Sequence, residues 1–89
     1  MPRKILSVSE ALRSPTRRRI MLYLLERPGA TLHQLAKELK MGMGNLYSHL
    51  LILGRVNLVV MVKGKGKIFV YPNESALVNG KRRSYLKRI

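Results

Sequence analysis

The side chains of this sequence that can do chemistry are almost all positively charged. Lysine and arginine account for 18 of the 89 residues, whereas the chain has four acidic residues, two histidines and no cysteine. Without cysteine the chain has no thiolate nucleophile, disulfide or thiolate metal site. No set of nucleophile, base and acid can be assembled from what remains, so the sequence does not indicate an enzyme.

The two histidines are the remaining candidates for specific chemistry. His33 and His49 lie in different predicted helices, and a pair of imidazoles needs further ligands to hold a metal ion. The few acidic residues nearby do not supply them, so we expect no metal site and no cofactor. His49 is expected to be a half-buried helix residue or a phosphate contact.

The net charge of +14 indicates the class of partner. This excess is larger than solubility requires, and a polyanion, most often a nucleic acid, is the simplest partner for it. Apolar residues make up 46% of the chain, which favours a folded domain over a disordered basic tail. No apolar run reaches the roughly 18 residues of a membrane span, and no signal peptide is evident. We expect a cytoplasmic, nucleoid-associated protein.

Capping residues predict where the first two helices begin. Ser7 and Glu10 have the spacing of a capping box, and Ser14 followed by Pro15 is typical of a helix start. The first helix is expected to be short and to end near residue 13. The second is expected to continue until a Pro-Gly pair stops it.

The third and fourth helices are predicted to be joined by a short turn. A second capping box begins the third helix, and apolar residues at helical spacing continue it for about two turns. The fourth helix is expected to begin at Met43 or Gly44 and to run to Leu53. Its leucines at i, i+4 and i+7 should face the core, and other side chains should point away from it. The latter are Tyr47, Ser48 and Leu51.

Two β-rich runs around a glycine-containing turn predict a hairpin after these helices. The runs are residues 58–63 and residues 67–71, and Pro72 ends the second. Residues 30–31 are predicted to be a turn or a very short strand. A short helix over residues 73–78 is expected to follow the hairpin.

The order of elements predicts an α+β fold, a helix-turn-helix followed by a β-hairpin wing. The major groove of DNA accepts one α-helix, so the fourth helix is the predicted recognition helix. Asn45 can pair with adenine through two hydrogen bonds, and the hydroxyl groups of Tyr47 and Ser48 can reach bases or phosphates. Gly42 and Gly44 either allow the backbone to approach DNA closely or only shape the turn.

Basic residues outside the fourth helix supply further candidate contacts. Three lysines surround the hairpin turn, where they form either a phosphate clamp or an ordinary solvated turn; they are Lys63, Lys65 and Lys67. Arg17, Arg18 and Arg19 open the second helix, where the helix dipole does not favour positive charge. An external anion or a solvated face explains them equally well, and we include Arg17 and Arg18 among the predicted DNA contacts.

The sequence resembles a superfamily of winged helix-turn-helix DNA-binding proteins. SPTRRRIMLYLL (residues 14–25) is similar to the helix that opens ArsR-type regulators, and TLHQLAKELKMGMGNLYSHLLIL (residues 31–53) is similar to their helix-turn-helix. GNLY (residues 44–47) is similar to the G-T-L-Y signature of PadR-type regulators. With the wing, the resemblance covers residues 5–72 and points to a small archaeal-type member.

The resemblance implies one domain over residues 1–89, with residues 73–89 as a basic C-terminal extension. It also implies which residues lie at the DNA; these are Met43, Gly44, Asn45, Tyr47 and Ser48, together with the wing lysines. Such proteins are usually homodimers that join through their first and last helices. ArsR-type metal sensors use cysteine-containing motifs that this chain lacks, so metal sensing is not implied. Leu51 stands where relatives often have a base, and we expect it to contact thymine methyl groups or a neighbouring protomer.

The leading hypothesis is a homodimeric, sequence-specific transcriptional regulator, a repressor that binds double-stranded DNA. The alternative is a DNA-organising protein that spreads along the duplex in a higher assembly, such as a plasmid partition protein or a chromatin protein. The apolar faces at Leu22 and Leu51 favour that alternative. A protein-interaction module is disfavoured by the basic wing. RNA is a less expected partner because the five aromatic residues form no obvious stacking platform.

Overall fold

The computed structural model describes residues 7–74. Its helices are α1 (Val8–Ala11), α2 (Pro15–Glu26), α3 (Leu32–Leu39) and α4 (Met43–Arg55), and its strands are β1 (Ala30–Thr31), β2 (Val59–Gly64) and β3 (Lys67–Pro72). The predicted α+β fold, four helices with a β-hairpin, is confirmed. The predicted helix over residues 73–78 and the basic extension over residues 73–89 lie outside the described residues from residue 75 onwards. Within residues 7–74, no helix has the length and apolar character needed to cross a membrane.

Side-chain caps begin the first three helices, as predicted. The Ser7 hydroxyl accepts from the Glu10 backbone N–H at 3.1 Å, and the Glu10 carboxylate accepts from the Ser7 N–H at 3.1 Å. Thr31 and Gln34 repeat this capping box at 3.2 and 3.0 Å. Ser14 caps α2 directly ahead of a proline. Because each cap satisfies backbone donors that a helix leaves unpaired, these short polar motifs determine where the helices start.

Helix α4 is longer than predicted. It continues through Gly54 to Arg55 instead of ending at Leu53. The first left-handed residue after it is Asn57, with φ 62°. The chain therefore leaves the helix at a position where asparagine supplies the positive φ, and Gly54 does not act as the terminator.

The sheet is antiparallel, and β3 is its central strand in the order β1-β3-β2. Strand β2 pairs with β3 along its whole length, from Val59 opposite Pro72 to Gly64 opposite Lys67. Strand β1 adds two residues on the other side of β3. Strand β1 therefore attaches the hairpin to the helical part of the chain. The sequence predicted these two residues as either a turn or a very short strand.

Two residues form the hairpin turn. Lys65 has φ 50° and Gly66 has φ 73°. Two successive positive φ angles are typical of a type I′ turn, whose twist matches that of the paired strands. Glycine adopts this conformation at no steric cost, whereas Lys65 adopts it because the ladder on both sides requires it. The wing therefore holds Lys65 at its tip in a defined backbone conformation.

One apolar cluster joins the helices to the inner face of the sheet. The three leucines of α4 that were predicted to face the core, Leu46, Leu50 and Leu53, are fully buried. Leu24 of α2 and Val70 of β3 meet them in the same cluster. Full burial of each such side chain stabilises the fold by about 1.5–3 kcal/mol relative to exposure. This cluster sets which side of α4 is left to solvent.

Candidate nucleic-acid interface

The solvent-exposed side of α4 contains all six helix residues that were predicted to lie at DNA, which are Met43, Gly44, Asn45, Tyr47, Ser48 and Leu51. Met43, Tyr47 and Leu51 follow one another at four-residue intervals and are between 39 and 46% exposed. Asn45 and Ser48 are also exposed. Because residues four apart lie on one side of a helix, the first three form a continuous stripe. The structure thus brings these predicted residues together.

Hydrogen bonding within α4 distinguishes its two short polar side chains. The Ser48 hydroxyl donates to the Gly44 carbonyl oxygen at 3.1 Å. That bond uses its only proton, so Ser48 can act towards a partner as an acceptor. Within residues 7–74 the Asn45 side chain makes no hydrogen bond, so both its N–H donors and its carbonyl acceptor are available to a base edge.

Neither Gly42 nor Gly44, at the start of α4, has the left-handed backbone conformation that would require glycine. Gly42 has φ −71° in the extended N-cap conformation, where glycine is common. Gly44 lies in the first turn, and a Cβ added at either position would meet nothing within 4 Å. The left-handed residue of the turn is Lys40, with φ 56°. The turn therefore gives no reason for glycine at position 44, which favours close approach of another molecule.

The wing lysines do not lie on one face of the hairpin. In the β2–β3 register Lys63 is opposite Ile68, and Lys67 is opposite Gly64. Because neighbouring residues of a strand point to opposite sides, Lys63 and Lys67 emerge on different sides, with Lys65 between them at the tip. All three are exposed. They surround the end of the wing with positive charge instead of forming a one-sided clamp.

A shallow groove connects α4 to the wing. It is lined by residues from three places in the chain, which include Leu32, His33, Met43, Gly66 and Ile68. Because Met43 of α4 and the wing turn line the same groove, the start of α4 and the wing tip lie on one side of the molecule. His33 lies there as well. Sequence reasoning considered it only as a metal ligand, although its place after the capping residue of α3 could have been recognised.

Arg17 connects three helices. Its Nε donates to the Ala11 carbonyl oxygen at the end of α1 at 2.6 Å, and its guanidinium lies 3.1 Å from Nδ1 of His49 in α4. Burial lowers the pKa of His49, and the nearby charge of Arg17 lowers that pKa further. A neutral imidazole can accept the hydrogen bond from the guanidinium, whereas a protonated one cannot. His49 is the predicted half-buried helix residue, but its partner comes from α2.

Arg18 also has partners within the protein. It donates to the carbonyl oxygens of Leu12 and Arg13 at 2.8 and 3.0 Å. Arg17 and Arg18 together satisfy carbonyl groups that α1 leaves unpaired at its end, a structural role that sequence reasoning missed. Arg19 is exposed and makes no hydrogen bond within residues 7–74, so it is the freest cation of the three.

Comparison with known proteins identifies the family. Residues 14–60, from the start of α2 into β2, match the family described as "Bacterial regulatory protein, arsR family". The chain belongs to the ArsR family. Its members are DNA-binding transcription regulators and not enzymes, so the predicted resemblance to ArsR-type proteins is confirmed. The likeness to PadR-type regulators stays a prediction.

Individual relatives agree with this assignment. The chain is 35% identical over 68 residues to the HTH-type transcriptional regulator MJ1398 of Methanocaldococcus jannaschii; the match covers 76% of this chain and 17% of that protein. A transcriptional regulator homologue from Pyrococcus horikoshii OT3 is 34% identical with a TM-score of 0.73, covering 91% of this chain and 85% of that one. These relatives support the archaeal type. HlyU from Vibrio cholerae, 23% identical with a TM-score of 0.72, covers 89% of this chain and 88% of its own and shows the same winged-helix fold.

The contact between His49 and Arg17 makes stability depend on pH. The pKa of His49 is lower in the folded state than its ordinary value of 6.5, so between the two values the unfolded chain binds more protons. Stability is therefore fully present above pH 6.5 and falls as the pH is lowered through the folded pKa. Thermal denaturation between about pH 5 and 8 should show this loss. His49→Gln should reduce it, whereas His33→Gln, at an exposed histidine, should keep it; equal pH profiles for all three proteins would contradict the assignment.

Gly44→Ala should raise stability and weaken duplex binding. Alanine is the better helix former, so we expect a gain of about 0.5 kcal/mol, but the added methyl group lies on backbone that is proposed to face DNA. Gly54→Ala is the matched control near the other end of α4, where an added Cβ also meets nothing within 4 Å. Urea denaturation and duplex titration of both variants separate the two effects. If Gly44→Ala binds duplex as tightly as the Gly54→Ala protein, the α4 backbone does not approach DNA closely.

Proposed function

We propose that this protein is a sequence-specific transcriptional regulator, a repressor that binds double-stranded DNA as a homodimer. The observation that carries the proposal is that the exposed side of α4 and the wing tip lie on one side of a chain whose net charge is +14. A recognition helix and a basic wing on one side can engage neighbouring grooves of one duplex. Binding at a promoter then excludes other proteins from that DNA.

The exposed side of α4 has the chemistry to distinguish base pairs. A helix is about 10–12 Å across with its side chains, which matches the roughly 12 Å width of the major groove. In that groove the free amide of Asn45 would pair with adenine, Tyr47 would contact a base or a phosphate, and the Ser48 oxygen would accept from a base. Met43 and Leu51 would contact thymine methyl groups. Gly44 would let the start of the helix approach the phosphate backbone.

The basic residues would supply affinity that does not depend on sequence. Lys65 at the wing tip, with Lys63 and Lys67 on either side, can contact phosphates or enter the minor groove. Arg17 and Arg18 are secondary candidates. Each guanidinium carries five N–H donors, so donors remain after the bonds to α1 are made and can face a phosphate at the corner between α1 and α2.

A second copy would join through the apolar surface of α1 and α2, which we call the α1–α2 surface. Leu22 is 64% exposed, Leu25 in the same groove is also exposed, and Val8 is an exposed apolar residue of α1. Leu12 and Met21 line the same shallow groove. Exposed apolar patches of this kind mark interaction sites. A two-fold dimer places two recognition helices on half-sites about 34–36 Å apart, so a pseudo-palindromic operator is expected.

The domain boundaries and the cellular location follow from the same proposal. One apolar cluster takes in residues from α1 to β3, which supports a single domain with a core over residues 5–72. The MJ1398 relative is much longer than the matched region, since the chain spans 17% of it. Nucleoid association in the cytoplasm is the location that a DNA partner requires.

A DNA-organising protein that spreads along the duplex is the second candidate. One observation favours it: Leu51 is exposed on the DNA-facing side and could contact a neighbouring protomer instead of a base. The relatives found are described as transcriptional regulators, which favours the first candidate. The two candidates differ in how the bound region grows as protein is added.

A footprint titration should give a bounded site of one or two turns. The DNA should come from around the protein's own gene, with nonspecific competitor present.

On that site Asn45→Ala should lose about 1–3 kcal/mol of binding free energy and relax base preference at one position. Lys65→Ala should weaken all duplexes alike and lower the salt slope by about 0.9 for each lost phosphate contact. A footprint that lengthens from one site would favour the spreading protein, and equal losses for Asn45→Ala on specific and random duplex would reject the groove contact.

Leu22→Glu should convert the dimer into monomers and thereby weaken binding to a two-half-site operator. Burying a carboxylate in an apolar interface is unfavourable, and sedimentation velocity measures the result directly. Leu51→Glu is the matched control, because it makes the same change at an exposed leucine of α4. It should leave the dimer intact and weaken duplex binding. A Leu22→Glu protein that sediments like the wild type would place the dimer interface elsewhere.

A further inference from the structure

The sheet has a second face that the functions proposed above do not use. Val59 and Val70 point inward and are buried, so the residues next to them point outward. The register places Val60 opposite Tyr71 and Val62 opposite Phe69 on this outward side. We call these four residues the outer sheet face: Val60, Val62, Phe69 and Tyr71. Three of them are between 42 and 47% exposed, so the face is an apolar surface in contact with solvent.

Two aromatic side chains of β3 lie on this face, with the Phe69 ring directed towards Gly64 of β2 and the Tyr71 ring towards Gly29. Phe69 and Tyr71 are separated by one residue on β3, and β3 is the central strand. Alternate residues of a strand point to the same side about 6.8 Å apart. Sheets that bind single-stranded nucleic acid place aromatic rings in this way and stack unpaired bases on them. The sequence alone did not suggest a stacking platform, because only the pairing of β3 between two strands puts these rings on an open surface.

The backbone beneath Tyr71 holds its ring in place. A Cβ at Gly29 would lie 3.1–3.3 Å from three atoms of the tyrosine side chain, and Gly29 has φ +87°. The absence of a side chain at Gly29 therefore lets the ring lie against the main chain. A ring that is already ordered loses little conformational entropy when a base stacks on it.

The charge around the outer sheet face favours a nucleic acid over a second copy of the chain. None of the residues in the three strands is acidic. Lys67 alternates with Phe69 and Tyr71 on β3 and so emerges on the same side, next to Lys65 at the turn. Lys65 and Lys67 attract a phosphate backbone, whereas a second copy packed on the same face would bring no acidic strand residue to pair with them.

We propose that the outer sheet face binds single-stranded nucleic acid, with unpaired bases stacked on Phe69 and Tyr71 and the backbone phosphates near Lys67. Val60 and Val62 form the apolar floor beside the rings. This site shares Lys67 with the proposed duplex interface, but its stacking residues Phe69 and Tyr71 lie on the sheet and not on α4 or the wing turn. It would let the protein hold a displaced strand or a transcript close to the duplex that it binds.

The test is fluorescence anisotropy of dye-labelled 12-nucleotide probes, oligo(dT) and oligo(U), with the full chain at low and moderate salt. Tyr71→Leu keeps an apolar side chain but removes the ring, and it should lower the affinity for single strands about 10-fold. Tyr71→Phe should bind as the wild type does. Binding of either probe supports the site, and a comparison of oligo(dU) with oligo(U), which differ only in the sugar, shows which sugar the site prefers.

Tyr47→Leu is the matched control, because it makes the same change on α4. It should weaken duplex binding and leave single-strand binding unchanged, whereas Tyr71→Leu should do the reverse. If the proposed duplex interface is wrong, Tyr47→Leu will not weaken duplex binding. If the proposed single-strand site is wrong, Tyr71→Leu will not weaken single-strand binding. Unchanged single-strand affinity of Tyr71→Leu would overturn the proposal, as would a change in sedimentation of that variant without a change in nucleic-acid binding, which would assign the face to a second copy.

Photocrosslinking of the wild-type chain gives a measurement that does not depend on the folding of any variant. A 12-nucleotide probe containing 4-thiouridine should crosslink to the peptide that carries Phe69 and Tyr71. Crosslinks that map to α4 instead would show that single strands use the duplex interface, and the proposal would then be wrong.

Discussion

The packing of one side of α4 is the constraint on which the rest of the structure depends. Leu46, Leu50 and Leu53 are fully buried against α2, α3 and the inner face of the sheet. A helix held by three buried leucines over about two turns cannot rotate about its axis without exposing them, at about 1.5–3 kcal/mol for each one. The direction in which Asn45 and Tyr47 point is therefore determined by residues that never contact DNA.

Much of the fold could be predicted because its signals are local. The two capping boxes each lie within four residues, and the leucine spacing of α4 identifies its buried side without knowledge of what it packs against. The end of α4 was less predictable. Gly54 is of the residue type that most often ends a helix, yet it is Asn57 that adopts the left-handed conformation after α4. The end is closed around Asn57 by local backbone bonds: the Asn57 N–H donates to the Gly54 carbonyl oxygen at 3.0 Å and the Leu58 N–H to the Leu53 carbonyl oxygen at 2.9 Å.

The candidate site was predictable where it lies on one helix, and less so where it depends on distant parts of the chain. Arg17 and His49 are 32 positions apart, and no periodicity links them. The run of three arginines predicted phosphate contacts for Arg17 and Arg18. In the structure both side chains donate to carbonyl oxygens at the end of α1. The groove between Met43 and the wing turn, and the exposed pair of rings on β3, likewise appear only when strands pair. Sequence patterns identify which residue types are available, and long-range contacts decide which of them are free to bind.

The two-residue turn of the wing limits how this protein can change length over evolution. With Lys65 and Gly66 closing the hairpin, every residue of β2 has a fixed partner on β3. A single insertion in β3 between the turn and Val70 would shift the alternation of the residues after it by one, turning Val70 towards water and Tyr71 into the apolar interior. Insertions of two residues keep the alternation. Among relatives, wings of different length should therefore differ by even numbers of residues, unless a bulge absorbs the odd one.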